Sequence, residues 1–117
     1  MPLFPAFPEY DDNLTIPDGW VDVSWHNNAC PSISKSCGLL DQKLAIVIWC
    51  DYKNPAMRDW GPESKQFTVA IESTDEFGEE HYEPKGYFDS FDDAMLYANA
   101  LYPKEVVKAF NKSSVQI

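Results

Sequence analysis

The chain has 117 residues, with 19 acidic against nine basic ones and a formal net charge of −10 at pH 7. That balance opposes direct binding to nucleic acid or to an anionic membrane and favours basic partners. A hydrophobic content of 44%, with aromatic residues at 15%, is too apolar for a disordered acidic tail and fits one domain of ordinary size.

Residues 1–19 read as an extended Pro-rich arm and turn, and 20–117 as a single α+β domain. In the arm, Pro2, Pro5 and Pro8 repeat every three residues, and Phe4, Phe7 and Tyr10 repeat in step beside them. Three residues per turn is the polyproline II period, so the segment has a proline edge and an aromatic edge. The aromatic edge either packs on the protein's own sheet or docks in a partner groove. Asp11, Asp12, Asn13 and then Pro17-Asp18-Gly19 are turn residues. Trp20–Trp25 alternates as a strand, with Val21, Val23 and Trp25 on one face and Trp20, Asp22 and Ser24 on the other. From His26 to Gly38 the residues Asn, Ser, Pro and Gly predict a loop.

Leu44–Tyr52 is β-branched, aromatic and apolar on both faces, as the middle strand of a sheet would be. After a link punctuated by Pro55, Gly61 and Pro62, Phe67, Val69 and Ile71 alternate with Gln66, Thr68, Ala70 and Glu72, a strand with one dry side. Thr74–Glu80 turns around Gly78, and the chain returns through His81 to Phe88. Pro84 cannot donate to a ladder, so this strand belongs at an edge or is broken there. Ser90 is placed to cap a helix that opens on Asp92 and Asp93 and carries Phe91, Ala94, Met95, Ala98 and Leu101 on one stripe. Pro103 ends that helix or opens a short second one through Phe110. The expected fold is an antiparallel sheet of three to four strands covered by one or two C-terminal helices, with the extended arm in front.

The longest apolar run, Leu44–Cys50, spans seven residues, against about 20 for a membrane-crossing helix. Met1–Tyr10 lacks the basic region and apolar core of a leader, so a cytoplasmic protein is expected. Cys30, Cys37 and Cys50 are an odd count, read as reduced thiols. With His26 they supply the residue types of a zinc site, but H-x3-C and C-x6-C lack the close pair that such sites use. A Cys30–Cys37 disulfide closing the loop is the alternative under oxidation. No phosphate-binding, dinucleotide-binding, metalloprotease or nucleophile-elbow motif is present, so neither catalysis nor a cofactor or metal is expected. Asp11-Asp12, Glu79-Glu80 and Asp92-Asp93 are sequence neighbours, which on strands point to opposite faces and read as surface charge.

The acids cluster: Glu72, Asp75, Glu76, Glu79, Glu80 and Glu83 in the hairpin, Asp89, Asp92 and Asp93 at the helix start, and Glu9, Asp11 and Asp12 beside the arm. Glu79, His81 and Glu83 would form a row along one face of an extended strand, with a repeat of about 6.6–6.8 Å. Such rows can replace a phosphate backbone among Arg and Lys side chains. In size and charge the chain resembles phage anti-restriction and anti-CRISPR proteins and the immunity proteins that block nuclease toxins. The resemblance covers composition and no motif, and it carries over no residues. It implies a non-enzymatic inhibitor, DNA-mimicking or not, whose partner is a basic nucleic-acid enzyme. The contrasting expectation is a structural or regulatory module gripped through Phe4, Phe7, Tyr10 and Trp60, with its acids serving solubility.

Overall fold

The computed structural model describes residues 3–25, 27–37, 43–58, 61–75 and 77–115. Five strands form one antiparallel sheet in chain order: β1 (Val21–Asp22), β2 (Ser32–Ser36), β3 (Lys43–Cys50), β4 (Phe67–Thr74) and β5 (Glu80–Phe88). Among the described residues one α-helix, α1 (Phe91–Val115), follows. The strand count is five rather than three to four, because Ser32–Ser36 lies inside the segment expected to be a loop. Its serines hide the strand from a hydrophobicity reading, yet their small side chains suit a close-packed sheet position, and Ser32 is buried.

β1 is shorter than the six-residue strand expected. Ser24 is the cause: its hydroxyl accepts from the Ser32 amide at 2.9 Å and donates to the Ser32 carbonyl at 3.3 Å. A side chain thus takes over pairing that the backbone ladder needs. Val21 lies opposite Ser34 and Asp22 opposite Ile33, so Trp20 turns into the core while Val21, Val23 and Trp25 are exposed.

The register sorts the sheet into two faces. In front, Ile33, Ile48, Val69 and Gly86 lie in one cross-strand row, with Ile46–Ile71 and Cys50–Phe67–Phe88 on either side. This face is covered by Ala94 and Ala98 of α1 and by Phe4, Phe7 and Trp20, all buried. Phe91, Met95 and Leu101 pack against the same cluster, as the helical stripe required. Ser90 caps the helix by accepting the Asp93 amide at 3.1 Å. Pro103 sits inside α1 and neither ends it nor starts a second helix. The carbonyl deprived of its partner belongs to exposed Asn99, one turn back, where water can serve it.

At the back, rows Ser32–Trp49–Thr68–Tyr87, Val47–Ala70–Pro84 and Ala45–Glu72–Tyr82 face away from α1. β5 is an edge strand, and its register shifts between the Val69 and Ala70 pairs, leaving Lys85 as the extra residue beside Pro84. The shift has a side-chain consequence. Without it, period-two alternation would place Tyr82 and Tyr87 on opposite faces; with it, both stand at the back.

Candidate functional site

The hairpin between β4 and β5 is organised by one carboxylate. Oδ1 of Asp75 accepts the amides of Phe77 and Glu79, each at 2.9 Å, and Oδ2 lies 3.0 Å from Nε2 of His81. The His81 contact and these amides hold the Asp75 carboxyl below its usual range. Gly78 supplies the positive φ of 80° that the turn requires. Asp75, Glu79 and His81 bring their ligand atoms within 4.8 Å of one another, but the Asp75 oxygens already serve the turn, which accounts for the grouping. Phe77 stands at the tip, 87% exposed. Glu79, Glu80 and Glu83 are exposed, and Glu83 pairs with Lys85 at 2.8 Å. His81 and Glu83 share the front face of β5, opposite Ser73 and Ile71. Glu76 lies outside the described residues.

The other two acidic clusters merge. Asp12, Asp89 and Asp92 line one surface hollow at the opposite end of the sheet, with Asp93 exposed in the same first turn of α1. Asp11 accepts the amides of Lys53 and Asn54 at 2.7 and 2.8 Å, Asp12 accepts the Gln66 amide nitrogen at 2.7 Å, and Glu9 accepts the Tyr52 hydroxyl at 2.8 Å. Burial and then Glu9 push the Tyr52 hydroxyl far above its ordinary value. Lys65 and Asp89 form an exposed ion pair at 2.8 Å, worth little to stability. Eight residues of β4 separate this end from the hairpin, roughly 24 Å at an extended rise.

Of the apolar residues singled out in the sequence, Phe4 and Phe7 are core, at 0% and 5% exposure, and have little surface to offer a partner. Their segment bends through hydrogen bonds from the Phe7 amide to the Phe4 carbonyl and from the Tyr10 amide to the Phe7 carbonyl. These local bonds suit a turned chain, since polyproline II has none. Tyr10 packs edge-on against Phe4 and donates its hydroxyl to the Asp51 carbonyl at 3.0 Å. Trp60 lies outside the described residues, as does His26.

A groove of about 400 Å³ crosses the back of the sheet, lined by Cys30, Trp49, Thr68, Glu72 and Tyr82, with Asp51 and Lys65 at its far end. A second hollow of about 550 Å³ adjoins it through Glu72 and Tyr82 and carries Glu80 and His81. Partial burial, then the charge of Glu80, raises the Glu72 carboxyl above its ordinary value. The Tyr82 hydroxyl is also raised by burial, with the Trp49 indole N–H acting the other way. Sequence reading did not assemble this groove. Its signal lay in Trp49 and Tyr82, which the strand pattern and the pairing of Tyr82 opposite Glu72 bring to one face.

The three cysteines are buried and unbridged. Cys30 and Cys37 flank the extended β2, so about 20 Å separates them. Neither a disulfide between them nor a shared metal ion is compatible with that span. Burial raises the Cys50 thiol, which disfavours a thiolate. Among the described residues, no helix is long and apolar enough to cross a membrane. No family model matches the chain, and neither a curated protein nor a solved structure matches it.

Proposed function

We propose that this protein acts by binding, as an acidic inhibitor that docks on a basic nucleic-acid enzyme and occupies surface meant for a phosphate backbone. The observation that carries the reading is the fixing of carboxylates at both ends of one sheet: Asp11 and Asp12 are tied to backbone and side-chain donors at one end, and Asp75 orders the acidic hairpin at the other. Preorganised charge avoids much of the ordering cost of association and steers a basic partner into contact. Burial of Phe4 and Phe7 supports this over a module gripped by the N-terminal aromatics.

The test is capture by the tagged protein from lysate of its native host, washed at low and then high salt, with retained proteins identified by mass spectrometry. The expected result is a basic nuclease or related enzyme, inhibited on binding, displaced by duplex DNA and released by Glu79→Lys with Glu80→Lys. Retention of a non-basic protein that survives high salt and ignores the charge reversal would overturn the reading.

A further inference from the structure

We propose that the groove on the back of the sheet is the pocket for an arginine side chain of the basic partner, with the guanidinium stacked against Tyr82 and Trp49 and paired with Glu72. This rests on the proposed function and specifies where on the molecule the partner's cation is read.

Three observations converge on that occupant. The groove is walled by the Trp49 ring over the largely buried Cys30 and Thr68, and it opens to the surface on the face away from α1, whereas α1 and the N-terminal segment cover the core of the opposite face. An aromatic surface beside a carboxylate suits a planar, weakly hydrated cation better than a compact ammonium. Glu72 stands where the apolar groove meets the hollow carrying Glu80. Among the described residues, the Glu72 carboxylate has neither a hydrogen bond nor an ion pair, and its charged neighbour is another acid. A guanidinium at this point would relieve that repulsion and satisfy the carboxylate by a forked hydrogen bond. The one described lysine lining the groove, Lys65, is at the far end and is held by Asp89 at 2.8 Å. The groove therefore carries negative charge at the point where its aromatic wall begins.

The backbone explains how the constellation arises. Glu72 and Tyr82 are direct cross-strand partners, and Trp49 stands opposite Thr68 on the next strand. Small Ala70 lies between these rows and is fully buried. A carboxylate paired directly across from an aromatic ring is the geometry in which a bound guanidinium touches both.

The probe is a Gly-Arg-Gly-Arg-Gly peptide, titrated into isotope-labelled protein at low salt and followed by amide and indole NMR shifts. Matched peptides carry citrulline, a neutral isostere, or lysine in place of arginine. Saturable shifts are expected at the Trp49 indole and at Thr68, Glu72 and Tyr82, absent with citrulline and weaker with lysine. Glu72→Gln should weaken the arginine peptide about tenfold, the scale of a lost charge-assisted hydrogen bond. Tyr82→Leu, which keeps apolar bulk and removes the ring, should weaken it about threefold. Unchanged front-face shifts establish that each variant is folded. Equal binding of the citrulline or lysine peptide, or undiminished binding by both variants, would overturn the proposal.

Capture experiments separate this inference from the reading beneath it. A basic enzyme retained and inhibited equally by the Glu72→Gln, Tyr82→Leu double variant, yet released by Glu79→Lys with Glu80→Lys, sinks the groove and leaves the inhibitor. Arginine binding in the groove without capture of any basic enzyme supports the groove and sinks the inhibitor.

Discussion

The front of the sheet carries Ile33, Ile46, Ile48, Phe67 and Val69 under α1 and the N-terminal segment, whereas the back, facing away from α1, carries Trp49, Thr68, Ala70 and Tyr82. Yet Val47, Thr68 and Ala70 at the back are as buried as the front core, at 2%, 3% and 0% exposure. α1 packs on the other face, so their burial does not come from it. Front residues bury by joining elements, so their loss opens a shared core. Back residues bury without α1, and the aromatic ones on β5 remain half exposed: Tyr82 at 49% and Tyr87 at 56%. The first arrangement serves stability; the second leaves aromatic surface available to a partner.

Phe67→Ala tests that contrast hardest. Phe67 is 1% exposed and its ring packs at 5.6 Å from that of Phe91 on α1, so about 3–5 kcal/mol of stability should be lost in denaturant unfolding. A loss below about 1 kcal/mol would mean that the helix is not firmly seated on the front face. Tyr82→Ala on the back should cost less than about 1 kcal/mol, the range of a cross-strand pair. A loss matching that of Phe67→Ala would erase the distinction between the faces.

Asp75→Ala sharpens the comparison at the sheet's end. It removes the acceptor for two amides and the His81 contact, so hydrogen exchange at Phe77 and Glu79 should accelerate while exchange in the middle of β3 and β4 stays unchanged. Since folding depresses the Asp75 carboxyl below its ordinary 3.8, its contribution is complete above that value and is lost as pH falls through the folded one. The same loss of hairpin protection should therefore appear in the wild type on acidification.

Glu72→Gln has the smallest expected effect and the opposite sign. Its carboxyl is raised above the ordinary 4.5, so its charged form costs stability as pH rises from that value through the folded one. The variant should be more stable at pH 7 by less than about 0.5 kcal/mol, given solvent screening at an exposed site, with the gain vanishing near pH 3. A gain that persists in acid would show that charge is not its origin.

Much of the fold was legible because local chemistry and tertiary packing agree. Leu44–Cys50 is apolar on both faces and became β3; Gly78 and the acids around it became the turn; Ser90 capped α1. β2 escaped because serine marks loops by composition but fits a sheet position whose neighbours supply the bulk. The short β1 depended on a hydroxyl reaching a residue eight positions away. The candidate site was legible only as charge. Asp12 is far in sequence from Asp89 and Asp92, and their meeting is a product of chain closure.

The sequence by itself determined the class of fold, the acidic surface and the strands of the central hairpin, because periodicity, turn residues and net charge are local or summed properties. Tertiary structure decided which acids meet, that Phe4 and Phe7 are core, and that Trp49, Glu72 and Tyr82 share a groove. The last depends on the register that sets Tyr82 opposite Glu72: a one-residue slip would turn Tyr82 to the front, and only the pairing with β4 fixes that register.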